Sequence, residues 1–200
     1  RDNETGNHIR RTQSYVRALA EHLRDHARFR DELNDESIRL LYISAPLHDI
    51  GKVGIPDAIL RKPGRLTPPE WAVMQRHAEF GHDAIERAAL ELGEEGIFLR
   101  YAREIAHGHH EHWDGTGYPR RLAGDAIPIS ARLMAVADVY DALISRRVYK
   151  PPYAHEQAVA MICAERGGHF DPDVVDAMLE IADVFHGIAQ RYRDDEGVIG

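Results

Sequence analysis

The chain has little of what would staple it, anchor it in a membrane or hold it to a nucleic-acid polymer. One cysteine, Cys163, stands alone in 200 residues. It can form no internal disulfide and no thiolate metal site. No run of about 18 apolar residues is present, and no signal-peptide pattern opens the chain. With that cysteine usage, the expectation is a cytoplasmic protein. Positive charge is also short: 25 Lys and Arg face 33 Asp and Glu, a net charge of -8. A binder of duplex nucleic acid usually shows a basic face, so this balance argues weakly against one. No segment alternates convincingly as a strand, and there is no internal repeat or low-complexity tract. Neither a Gly-x-Ser-x-Gly elbow nor a glycine-rich nucleotide loop occurs. The length supports one domain, or at most two small ones. A content of 44% apolar and 29% charged residues is that of a folded domain.

What is present reads as helices. Ile9, Val16, Leu19, Ala20, Leu23 and Ala27 form a helical stripe. Ile38, Leu41, Tyr42 and Ala45 form a second, which stops at Pro46-Leu47-His48-Asp49. Thr67-Pro68-Pro69-Glu70 is a capping box with proline at the first helical position. Trp71, Met74 and Ala78 would be the buried face of that helix, with a kink at Gly81. Another helix carries Phe98, Tyr101, Ala102 and Ile105. Residues 111–127 then form a long loop of glycine, proline and aromatics, and loops of that length are usually functional when ordered. Helices follow from Pro128, over about His155–Arg166, and from Asp171-Pro172 toward Arg191. The class is all-α. The chain begins at Arg1 inside what already reads as a helix, so a fragment of a longer protein is expected.

The abundant residue is histidine. There are 13, and it is the commonest metal ligand. Glu4 and His8 are one helical turn apart. His48-Asp49 closes one helix, His77 lies on the capped helix, and His109-His110 precedes the long loop. Asp138 sits in the apolar stretch Met-Ala-Val-Ala-Asp-Val-Tyr, where a carboxylate is costly unless paired or metal-bound. A buried pair with an arginine is the competing explanation. Taken singly, each of these has an ordinary structural reading. Together they put oxygen and nitrogen ligands on five successive helices, a set suited to iron, manganese or zinc. Two divalent ions about 4 Å apart are suited to displacement at phosphorus. An anionic substrate needs nearby cations. Lys52 supplies one, and Arg120, Arg121, Arg132, Arg146, Arg147 and Lys150 outnumber the acids between residues 117 and 150.

Five stretches now stand together: Glu4-Thr-Gly-Asn-His8; His48-Asp-Ile-Gly-Lys-Val-Gly-Ile-Pro56; His109-His-Glu-His-Trp-Asp-Gly-Thr-Gly-Tyr-Pro119; Ala137-Asp-Val-Tyr-Asp-Ala-Leu143; and Arg147-Val-Tyr-Lys150. In this order they resemble the HD-GYP domain, a subgroup of the HD phosphohydrolase superfamily, over about residues 2–179 of a single 1–200 domain. The resemblance implies a helical bundle around a bi- or trinuclear metal centre. It also implies a signalling phosphodiesterase of bacteria that cleaves cyclic di-GMP to pGpG and in some members GMP. The ligands it implies are His48, Asp49, His77, His109, His110 and Asp138, with Asp49 bridging and Glu4 and His8 serving a third ion. Two or three divalent transition metals would be held, iron first, with manganese, nickel or zinc as alternatives. Asp49 and Lys52 would be catalytic. Lys52, Tyr118, Asp141, Arg147 and Lys150 would contact substrate. A hydroxide bridging two metals would attack phosphorus.

The implied partners are cyclic di-GMP or pGpG and an upstream sensor or two-component receiver domain, with no nucleic-acid polymer and no membrane. Diguanylate cyclases would dock on the Gly-Tyr-Pro loop. After that loop the family usually has a second glycine before leucine, where this chain has Arg120-Arg121-Leu122, which bears on the loop's shape. Two rival functions stay open: a hydrolase acting mainly on pGpG or another nucleotide, and a docking module that keeps its metals for structure. His107 and His112 are candidates for supporting the ligands from behind. Cys163 reads as ordinary helix packing.

Overall fold

The computed structural model describes residues 6–92, 97–145 and 151–194. Among these there are ten α-helices and no strand. α1 (Gly6–Leu23), α2 (Asp35–Ser44), α3 (Asp57–Leu60), α4 (Pro68–Gln75), α5 (His77–Leu92) and α6 (Ile97–Gly108) come first. The loop then leads to α7 (Ile129–Ile144), α8 (His155–Ala164), α9 (Pro172–Glu180) and α10 (Ala182–Arg191). The all-α reading holds.

α7 is the central rod. Every residue from Ile129 to Ala137 is buried, so this helix is enclosed on all sides at its start. α1, α6, α8 and α9 surround it. Its far end is locked by an aromatic cluster. Tyr15 stacks on Phe185 at 4.5 Å, and Tyr140 meets both rings edge-on at 5.2 and 5.0 Å. Such ring pairs add about 0.5–1.5 kcal/mol beyond their buried area. The helix starts follow local chemistry. Asn34 caps α2 with Ser37 in a reciprocal box, Thr67 does the same for α4 with Glu70, and Asp171 accepts from Asp173 N–H before Pro172.

Several boundaries differ from the sequence reading. The break expected at Gly81 falls at Arg76, between α4 and α5. Gly81 lies within α5, where a Cβ would stand 3.2 Å from the Ala106 side chain and 3.3 Å from Gly51 N. It is a contact glycine rather than a kink. Trp71, expected in the core, is 46% exposed. The last helix is two, divided at Ile181. The long loop is held rather than structureless, with a bridge from Asp114 to Ala123 and a 3-10 turn at Gly124–Ala126.

Candidate metal centre

The centre is assembled at the crossing of α1, α5, α6 and α7 with two 3-10 turns, Ala45–Leu47 and Ile50–Gly54. His48 and Asp49 lie between those turns, not on a regular helix, and His109-His110 lies just past α6. His77 opens α5, His8 lies on α1 and Asp138 on α7. The five-helix placement is corrected to that extent. The tight path after Asp49 depends on Gly51. A Cβ there would fall 1.9 Å from His77 O and 2.4 Å from Gly81 N. The bare backbone lets this turn sit directly on the first turn of α5, which brings Asp49 to His77.

Two candidate ligand groups result. Asp49, His77, His109 and His110 offer donor atoms all within 4.8 Å of one another, and His8, His48 and Asp138 do the same. Asp49 lies where they meet. Its Oδ1 is 3.2 Å from His77 Nε2 and 3.8 Å from His109 Nε2. Its Oδ2 is 3.3 Å from His48 Nε2 and 2.6 Å from Lys52 Nζ. His48 Nε2 is in turn 3.9 Å from Asp138 Oδ1.

The rings are oriented from behind. Nδ1 of His48 donates to Ala45 O at 3.0 Å, that of His77 to Met74 O at 2.7 Å, and that of His109 to Ile105 O at 2.9 Å. A carbonyl only accepts, so each Nδ1 carries a proton and each Nε2 is the ring atom turned toward the centre. Nε2 of His110 and Nε2 of His77 are 3.1 Å apart. Two nitrogens each about 2.1 Å from one ion stand about that far apart. Buried Asp49 Oδ1 and His109 Nε2 have no hydrogen-bond partner, although buried polar atoms nearly always have one.

The electrostatics ask for a cation. Burial pushes His109 down to about 3, aided by His48 and His77, and burial with His109 as neighbour holds His110 well below its usual range. Both are neutral, as ligands must be. Burial opposes the Asp49 carboxylate, but His48, His77 and Lys52 outweigh it and keep it well below the usual carboxylate range. Burial, with the Asp49 charge, pushes Asp138 up. Positive charge here would relieve both carboxylates. Donor set, orphaned atoms and charge all fit divalent metal.

The other expected residues divide. Tyr118 is brought in. Its ring stacks on His110 at 4.7 Å and its N–H donates to His110 O. Burial and the Asp49 and Asp138 charges raise its pKa, so it stays a neutral donor. Asp141, expected to contact substrate, is 1% exposed. Its Oδ2 lies 2.8 Å from His8 Nδ1, and Arg11 donates to both oxygens at 2.6 and 3.0 Å. It stands behind His8 as a carboxylate stands behind a histidine that binds metal. Arg132 is buried and committed to Asp171 at 2.7 Å, which takes it from the expected basic patch. Glu4, Arg146, Arg147 and Lys150 lie outside the described residues. Neither His107 nor His112 backs a ligand. His107 packs its ring against His82 at 4.3 Å and His112 against His169 at 3.9 Å, both tilted by about 40°.

His107 carries a pH consequence. Burial, with Arg120 and His82, pushes it down to about 4. The unfolded chain therefore takes up this proton near pH 6.5 and the folded one only near 4. Stability from this site is full above about 6.5 and falls as pH drops toward 4. His107→Gln should flatten the plot of unfolding temperature against pH in that window. An unchanged slope would exclude His107 as the cause.

Glu111 went unnoticed in the sequence. It is buried, and its carboxylate accepts from Arg120 N–H at 2.8 Å and Leu122 N–H at 3.0 Å. It ties the end of the Tyr118 loop to the residue after His110. Its place directly after the histidine pair was the available signal. Arg121, between those two amides, has φ 56°. A non-glycine residue there costs roughly 1–2 kcal/mol, partly offset by the entropy glycine loses. Arg121→Gly should leave the unfolding temperature unchanged or raise it by about 2–4 °C. A calorimetric scan showing a fall would refute that reading of the loop.

The comparisons with known proteins agree on this architecture. An HD domain family model matches residues 3–174. A probable cyclic di-GMP phosphodiesterase of Vibrio cholerae is 55% identical over 100% of this chain and 45% of its own length. A 3'3'-cGAMP-specific phosphodiesterase of the same organism is 45% identical over 97% of this chain and 34% of its own. The chain thus spans less than half the length of these curated relatives. Among solved structures, an HDG"Y"P protein from Bdellovibrio bacteriovorus matches with a TM-score of 0.61 at 20% identity, covering 92% of this chain and 55% of that one. No helix among the described residues is long and apolar enough to cross a membrane.

Proposed function

The chain belongs to the HD domain family, and from that premise we propose that it is a metal-dependent phosphodiesterase that hydrolyses cyclic di-GMP to pGpG and in part GMP. The observation that carries this is the pair of ligand groups meeting at Asp49, whose two oxygens face different groups. In this reading Asp49 would serve both groups, with His77, His109 and His110 holding metal on one side and His48 and Asp138 on the other. Glu4 and His8 would serve a third ion. The ions are divalent and number two or three, with iron preferred over manganese, nickel or zinc. When bound, they supply Lewis acidity and a water of lowered pKa.

The chain's own residues do the rest. Carbonyls 45, 74 and 105 hold three imidazoles in one tautomer, so no reorientation is needed when charge develops. Lys52 keeps a cation 2.6 Å from Asp49, positioned to offset charge growing on the phosphoryl oxygens. Tyr118 stays protonated and offers a hydrogen bond beside His110. Arg147 and Lys150 anchor the second phosphate or a guanine. The reading treats residues 1–200 as one such domain, working in the cytoplasm as the output of an upstream sensor or receiver.

A second reading is cleavage of 3'3'-cGAMP, favoured by the 45% identity to a phosphodiesterase of that specificity. The deciding experiment uses anaerobically purified protein, counting metals per chain by mass spectrometry and identifying products from each cyclic dinucleotide. Two or three ions with pGpG formed from cyclic di-GMP is the expected result. A higher kcat/KM on 3'3'-cGAMP would favour the second reading. A loaded centre inert toward both would overturn the assignment.

A further inference from the structure

Trp71 is out of place for its sequence pattern. It follows a capping box on the helix face expected to be buried, yet it is 46% exposed. Single exposed apolar residues are common and mean little alone. What distinguishes this one is its contact. The indole stands across the Tyr118 ring at 6.1 Å and 82°. Tyr118 is itself stacked on His110 at 4.7 Å and 24°. The aromatic series therefore runs outward from a member of the ligand group, and Trp71 is its solvent-facing end.

The rim of the centre suits a ligand that is anionic in one part and flat and apolar in another. Ile50 and Val53, on the turn that follows Asp49, are 38% and 75% exposed on either side of Lys52. The nearest acid in sequence, Glu70, is occupied. It accepts from Thr67 and pairs with Lys62 at 2.6 Å, which holds its carboxyl down at about 2. A purine could approach the indole without meeting an unpaired carboxylate from that residue.

We infer that Trp71 is a base-stacking platform that receives a purine of the substrate while its phosphate lies at the centre. This rests on the phosphodiesterase reading but can be tested apart from it. Stacking of a base on an aromatic side chain is sequence-tolerant. The contact should therefore serve guanine and adenine alike, setting affinity for purine cyclic dinucleotides rather than choosing among them.

The test uses metal-loaded protein in two arms. In the first, GMP, which offers no phosphodiester to cleave, is titrated against intrinsic fluorescence. Saturable quenching is expected in the wild type and not in Trp71→Phe, whose remaining tryptophan is Trp113. In the second, Trp71→Ala should raise KM for cyclic di-GMP about tenfold, with kcat and metals per chain unchanged. The loss on 3'3'-cGAMP should be similar, and Trp71→Phe should restore most of it. If the protein hydrolyses neither dinucleotide, quenching that depends on Trp71 still supports the platform while the phosphodiesterase reading fails. Absence of such quenching, or an unchanged KM in Trp71→Ala, overturns the platform. A fall in kcat or metal content without a change in KM would also overturn it, because Trp71 would then only brace Tyr118.

Discussion

Replacing His48 and Asp49 together by alanine is expected to lower kcat on cyclic di-GMP by roughly a thousandfold or more, and to lower the metals bound per chain. The loss is large because Asp49 touches both ligand groups. Its Oδ1 faces His77 and His109, and its Oδ2 faces His48 and Lys52. Without it the His77–His109–His110 group keeps only nitrogen donors, and Lys52 loses its 2.6 Å ion pair with that carboxylate. Removing a single preorganised electrostatic contact from an active site costs about 10²–10³ in kcat, and this change removes one donor from each group. Mass spectrometry of the loaded variant and steady-state kinetics check it together. Full turnover by a variant that still binds the wild-type number of ions would refute the assignment of Asp49.

The second large effect is on stability. Asp171→Ala is expected to destabilise the fold by about 3–5 kcal/mol, the cost of removing one partner from a buried ion pair. Asp171 is 2% exposed. It accepts from Arg132 at 2.7 Å and from Arg28 at 3.1 Å, and it caps α9 through Asp173 N–H at 3.0 Å. Arg132 is 7% exposed and lies on the central helix, so its charge would be stranded there. Arg28 stacks its guanidinium over Phe29 and Trp113 and also pairs with Asp125 and Asp173. The cluster joins the turn after α1, the long loop, α7 and α9. At about 2–4 °C per kcal/mol for a domain of this size, the unfolding temperature should fall by roughly 10 °C. Thermal unfolding of the variant beside Arg166→Ala, which loses only an exposed pair with Asp176, is the comparison. Equal small shifts would show that the Asp171 cluster is dispensable.

The sequence by itself determined the helical class, the starts of α4 and α9, and the residue types of the centre. Those are local facts. A helix is written in its apolar period and its caps, and a metal site in its histidines and carboxylates. Only the tertiary structure decided which of these meet. It left Trp71 exposed beside Tyr118, because the chain breaks at Arg76 and α4 turns away from the face that Ala78 buries on α5. It put Asp141 behind His8 because Arg11, one turn along α1, fixes the same carboxylate. It revealed Gly51 and Gly81 as a contact and Glu111 as the tie on the loop. Such pairings join residues far apart along the chain, and their close approach follows from packing that no local pattern encodes.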